Sequence, residues 1–122
     1  MSNIDKLADQ SQSAGAFAHE YFNYLNQVLD SIPGPSINAL VDQFEKARVN
    51  GNTIFVAGNG GSATTASSMA NDIGFDVIKK TGTKKPFKVL SLSDNTSVIT
   101  AIANDVGYEK IFINQLKIHY RQ

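Results

Sequence analysis

The residues of this chain with the clearest chemical use are Gly58-Asn59-Gly60-Gly61-Ser62. Before them stands an apolar, β-rich run, Thr53 to Ala57. After them Ala63, Ala66, Met69, Ala70 and Ile73 recur at helical spacing. A strand, a glycine-rich turn and a helix start make an anion site. Glycines let the backbone turn sharply and approach a ligand closely. The free N–H groups at the helix start, with the positive end of the helix dipole, attract phosphate. Ser62 adds a hydroxyl at the expected cap. A plain β–α turn with a serine cap needs fewer glycines, so the loop reads as a ligand site.

The ATP-type phosphate loop requires a Lys beside a Ser or Thr at the helix start. None follows Gly61, so that ligand is excluded. Gly58-x-Gly60-x-x-Ala63 satisfies the loose dinucleotide pattern. Its acidic partner is expected about 20 residues on, whereas Asp94 comes 36 positions after Gly58. Dinucleotide binding remains a second candidate.

Composition narrows the chemistry further. There is no cysteine, which excludes disulfide scaffolds, thiol nucleophiles, zinc ribbons and iron–sulfur sites. The two histidines, His19 and His119, are a hundred positions apart and form no local metal motif. A lone histidine on a helix, as His119 is, reads as packed or exposed. Eleven basic residues balance eleven acidic ones, which argues against a general nucleic-acid binder. Residues 1–16 lack the apolar core of a signal peptide. No apolar stretch approaches the ~20 residues that span a bilayer. A cytoplasmic location away from membranes is the expectation. At 122 residues, 42% hydrophobic and 18% charged, the chain is globular and one domain at most.

The elements that must position the loop follow from periodicity. Residues 1–13 read as a polar lead-in. Phe17, Tyr21, Phe22, Leu25, Val28, Leu29 and Ile32 lie on one face of a helix, suited to core or oligomer packing. Pro33-Gly34-Pro35 stops it. Ser36 is the expected cap of a second helix, with Ile37, Leu40, Val41, Phe44 and Ala47 on its apolar face and Asn50-Gly51 at its end. The strand at Thr53–Ala57 lacks alternation, which predicts burial on both faces, as in a parallel sheet. Lys79 to Lys85 is a basic, glycine-containing loop. Phe87 to Leu92 is a second buried-strand candidate. Ser93 to Ser97 is rich in capping residues, and a helix follows through Val98, Ile99, Ala101 and Ile102. After Gly107, a last helix carries Ile111, Phe112, Gln115, Leu116 and His119. Strands alternating with helices imply a parallel α/β sheet. Two strands alone are too few, so the chain reads as the first part of an α/β domain, or as one that completes its sheet by association.

Two segments carry a family likeness. Ala57-Gly58-Asn59-Gly60-Gly61-Ser62-Ala63 is the first. Leu92-Ser93-Asp94-Asn95-Thr96-Ser97-Val98 with Ala103-Asn104-Asp105-Val106-Gly107-Tyr108-Glu109 is the second. With these the chain resembles the SIS (sugar isomerase) domain family, in its phosphoheptose isomerase-like branch, from about Ala14 onward. The resemblance implies the N-terminal part of a flavodoxin-like three-layer α/β/α sandwich, preceded by two helices that pack a homotetramer. On this reading residues 14–122 are an incomplete SIS domain. It implies a phosphorylated sugar as ligand, held by Asn59, Gly60, Gly61 and Ser62, with Asn104 and Asp105 as a second contacting pair. Family members isomerise sedoheptulose 7-phosphate for lipopolysaccharide or capsule precursors.

The departures bear on activity. In the isomerases the helix after the glycine loop carries a His and, four residues later, a Glu, both able to bind zinc. The matching positions here are Ser68 and Asp72. Ser68 is a poor zinc ligand, so no metal or other cofactor is expected. Asp72 retains a carboxylate for proton transfer in an enediol isomerisation, or is simply a solvated helix residue. An Arg that often follows is Asp76. The family's Ser/Thr-rich phosphate loop and C-terminal Gln and His are not in these 122 residues. The isolated chain is therefore expected to be inactive. A non-catalytic phosphosugar-binding or protein-interaction module is the alternative.

Overall fold

Helix α1, Asn3–Gln10, occupies most of the segment read from sequence as a loose lead-in. A capping box forms it: the Asp5 N–H donates to Ser2 Oγ, and the Ser2 N–H donates to Asp5 Oδ2. Ile4, Leu7 and Ala8 repeat at helical spacing behind this Ser-x-x-Asp cap, but the segment is only eight residues long and largely polar. The computed structural model describes residues 1–120. It divides into two units, Met1–Val41 and Asp42–Gln122.

In the first unit, Ser13 caps α2, Ala14–Asp30. Asn3 Nδ2 donates to the Tyr24 hydroxyl at 3.1 Å, and Ser11 Oγ to Glu20 Oε2 at 2.8 Å, joining α1 to α2. Phe17 and Tyr21 stack with centroids 6.2 Å apart. The rest of the predicted stripe, Phe22, Leu25, Val28, Leu29 and Ile32, is exposed. Helix α3, Gly34–Asn50, supplies residues to both units. It begins two residues before the expected Ser36 cap. The Pro33 carbonyl accepts from the Ser36 and Ile37 N–H groups, and Pro35 sits in the first turn, where a missing N–H costs nothing. Its end is as expected. Gly51 has φ +68°, and the Asn52 N–H donates to the Ala47 carbonyl at 2.8 Å.

In the second unit, β1, Thr53–Val56, pairs in parallel with β2, Lys88–Ser91. Thr53 faces Lys88 and Val56 faces Ser91. The crossover runs through α4, Gly61–Met69, a π-helical stretch, Ala70–Asp76, and α5, Val77–Thr81. A continuous α-helix was expected here; the seven-residue widening is a correction to that reading. After β2 come α6, Thr96–Asp105, capped by Asn95, a 3-10 turn at Tyr108–Lys110, and α7, Ile111–His119.

The predicted burial of both strand faces is not found. Thr53 is exposed, and Ile54, Phe55 and Val56 are only half-buried. Two strands have few neighbours to cover them. Among the described residues the buried apolar set is Ala66, Leu92 and Ile111, with Ser91 and Gln115 as buried polar partners. These five lie around the C-terminal end of β2, so the best-packed part of the unit stands directly behind the glycine loop.

Candidate phosphate-binding site

The loop after β1 is tied to the loop after β2. The Leu92 N–H donates to the Val56 carbonyl at 2.8 Å, the last main-chain rung of the pair. One step further, Ser93 Oγ accepts from the Gly58 N–H at 3.0 Å and donates to the Gly58 carbonyl at 2.8 Å. Gly58 has no alternative residue type. A Cβ there would stand 2.3 Å from the Ser62 carbonyl oxygen, far inside contact distance. Gly60 adopts φ +56°, ψ −124°, a conformation closed to L side chains, and it is the N-cap of α4.

Ser62 is therefore not the cap that its position suggested. It is the second residue of α4, and its N–H donates to the Asn59 carbonyl at 3.1 Å. The Ala63 N–H turns back to the Gly60 carbonyl at 3.0 Å. Among the described residues the N–H groups of Gly60 and Gly61 have no acceptor. Asn59, Gly60, Gly61 and Ser62 are all exposed, and nothing stands within 4 Å of a Cβ built on Gly60 or Gly61. Open space, free donors and a helix N-terminus meet at one point, which is what an anion requires.

A second layer supports the loop. Ser91 Oγ donates to Asp94 Oδ1 at 2.9 Å, and the Ser67 hydroxyl of α4 bonds the same oxygen. The Ser93 N–H donates to Ser91 Oγ at 3.1 Å. Ser67, Ser91 and Ser93 had no assigned role in the sequence reading. Of the three, only Ser93 stood out there, within a segment rich in helix-capping residues. Gln115, buried on α7, closes this layer from behind by donating Nε2 to the Leu92 carbonyl at 2.9 Å.

The other expected site residues are not gathered at the loop. Ser68 and Asp72 are both exposed, and no hydrogen bond joins them among the described residues. At i, i+4 the two stand about one turn apart along the helix. Asp72 lies in the π-helical stretch, where turns close at i+5. Its carboxylate accepts from Asn71 Nδ2 at 3.1 Å. Asn104 and Asp105 end α6, with Asn104 Nδ2 donating to Asp105 Oδ1 at 2.8 Å. Ten helical residues rise about 15 Å, so this pair stands well away from the Ser93–Asn95 loop.

A cavity of about 720 Å³ lies at the opposite end of the strands, lined by Gly51, Thr53, Lys88, His119 and Tyr120. His119 is exposed, its ring centroid 6.5 Å from that of Phe55. Open parallel sheets bind ligands outside the carboxyl ends of their strands, which is the glycine-loop end. Among the described residues no group of three or more His, Cys, Asp or Glu could hold a metal ion, and no helix is long and apolar enough to cross a membrane.

A parallel α/β unit with a glycine-rich loop between its first strand and the following helix defines the class. The chain belongs to the SIS-domain family, whose model, described as "SIS domain", matches residues 17–122. It is similar to the phosphoheptose isomerase of Geotalea uraniireducens (strain Rf4), 36% identical over 94 residues, which cover 75% of this chain and 48% of that protein. It is also similar to a probable phosphoheptose isomerase of Thermoplasma acidophilum, 37% identical over 81 residues, covering 66% and 43%. Among solved structures it is similar to phosphoheptose isomerase GmhA from Neisseria gonorrhoeae, with TM-score 0.71, 24% identity, and coverage of 88% of this chain and 53% of that one. The chain thus spans about half the length of the curated relatives it matches. The fold expectation stands: this is the N-terminal part of the sandwich, with three helices rather than two before β1.

Proposed function

We propose that this chain is the phosphosugar-binding N-terminal part of a phosphoheptose isomerase, acting on sedoheptulose 7-phosphate in heptose synthesis for lipopolysaccharide or capsule. The observation that carries the reading is the pair of free N–H groups at Gly60 and Gly61, open to solvent at the start of α4. The names of its relatives support the choice of sugar. Asn59, Gly60, Gly61 and Ser62 hold the anionic end of the ligand. Asp72 supplies one of the two proton-transfer groups of an enediol isomerisation. The second group comes from outside these 122 residues, so the isolated chain binds without turning over. Asn104 and Asp105 act on ligand only where a further subunit brings them to a loop. The exposed stripe Phe22, Leu25, Val28, Leu29 and Ile32 suits a homotetramer of cytoplasmic subunits.

One feature favours a second reading, a non-catalytic binding module. Ser68 stands where the isomerases carry a metal-binding His, and it is exposed with no partner set around it.

Thermal unfolding with sedoheptulose 7-phosphate, and with NAD as control, tests the proposal. A ligand that binds only the folded state adds about 2.7 kcal/mol at a hundredfold excess over Kd. A rise in Tm with the sugar phosphate alone supports it. A rise with NAD alone, or with neither, overturns it.

A further inference from the structure

The hydroxyl of Ser93 occupies a position that the sheet and the loop do not by themselves explain. The β1–β2 ladder ends where the Leu92 N–H meets the Val56 carbonyl. Gly58, two residues further, has no strand partner. A single side chain 35 positions away satisfies both its main-chain groups, at 3.0 Å and 2.8 Å. A hydroxyl carries one donor and two acceptor lone pairs, so it serves both at once. Ser93 is itself held by the Ser91 hydroxyl, which is buried and bonded to Asp94.

Gly58 is also the residue with no room to adjust, because the Ser62 carbonyl lies against its Cα. Two residues on, Gly60 turns into its positive-φ conformation, and the Gly60 and Gly61 N–H groups point free. We propose that Ser93 is a positioning residue for the anion cradle: by holding Gly58 through both main-chain groups it aims the Gly60 and Gly61 N–H donors at the ligand. This rests on the glycine loop being the phosphosugar site.

The test is an amide NMR titration of the chain with inorganic phosphate and with sedoheptulose 7-phosphate. In the unaltered chain the Gly60 and Gly61 resonances are expected to move. Ser93→Ala leaves both Gly58 groups unpaired and is expected to weaken binding about tenfold. Ser93→Thr keeps the hydroxyl and is expected to restore binding. Ser67→Ala removes the hydroxyl's bonds to Asp94 and to the Ala63 carbonyl but leaves the Ser93–Gly58 pair intact, so it is expected to lower Tm while leaving affinity unchanged. If Ser67→Ala weakens binding as much as Ser93→Ala, the effect is general destabilisation and the positioning role falls. If folded Ser93→Ala binds as the unaltered chain does, the role also falls while the site reading stands. If the unaltered chain shows no movement at Gly60 and Gly61, the site reading itself fails. Should Ser93→Ala not fold, hydrogen exchange at Gly58 in the unaltered chain decides. Protection well above that of Asn59 supports the clamp, and equal exchange overturns it.

Discussion

The carboxamide of Gln115 is buried against the main chain of Leu92, to whose carbonyl its Nε2 donates at 2.9 Å. The same nitrogen bonds the Ile111 carbonyl at 3.0 Å, one turn back on α7. The bond joins the last helix to the segment just beyond β2. Gln115→Leu fills much of the same volume but leaves the Leu92 carbonyl unpaired beside it. We expect a loss of about 1–3 kcal/mol in urea unfolding, with the slope of the transition unchanged.

The glycines of the loop differ in what they tolerate. At Gly58 a methyl meets the Ser62 carbonyl, and helix and loop cannot part without breaking the α4 start. Gly58→Ala is expected to cost about 1–3 kcal/mol or more, as overpacking does. Gly61→Ala meets open space, so stability should stay within about 0.5 kcal/mol. The same methyl projects where the ligand approaches. Loss of phosphate shifts in a variant of unchanged Tm is the expected result, and unchanged shifts would show that the ligand lies elsewhere.

Helix α1 should be sensitive to acid. The Ser2 N–H, then the Ser2 hydroxyl, hold the Asp5 carboxyl below its ordinary value of about 3.9. A lowered folded-state value means that the ionised form is favoured in the helix. The contribution is therefore present above pH ~4 and is lost as pH falls through the lowered value. Protection of the amides across Asn3–Gln10, measured against the intrinsic exchange rate at each pH, should fall below pH ~4 in the unaltered chain. In Ser2→Ala that protection should already be lost at neutral pH.

Asn104 and Asp105 sit at the far end of α6 from the Ser93 clamp. In the isolated monomeric chain Asp105→Ala should leave phosphate affinity at the loop unchanged. A weakening that appears only as subunit concentration rises would mark the pair as acting across an interface.

Much of this arrangement was legible in the residues. The strand–glycine loop–helix order is local: Gly58, Gly60 and Gly61 have backbone requirements few other residues meet, and the apolar runs on either side set strand and helix. The parallel pairing followed from the helical crossover between two β-rich runs. The α3 stop at Gly51 was equally local. What could not be read were the features set by residues far apart. The Ser93 clamp spans 35 positions, and the Gln115 bond spans 23. Nothing in a serine's neighbours says that it will bond a glycine across a sheet.

The tertiary structure also decided which chemistry-bearing residues meet. Sequence spacing placed Ser68 and Asp72 one turn apart, and the folded chain leaves both exposed with no hydrogen bond between them among the described residues. It moved the cap of α4 from Ser62 to Gly60, because the turn needs a positive φ there. It left Phe55 and Val56 half-covered, since strand burial depends on how many neighbours pack on the sheet and not on apolar content. The residues by themselves determined the class of site, because glycine geometry and helix-start donors are local properties. Only the packed chain decided which donors stay free and what holds them, because those depend on contacts between segments that the sequence keeps apart.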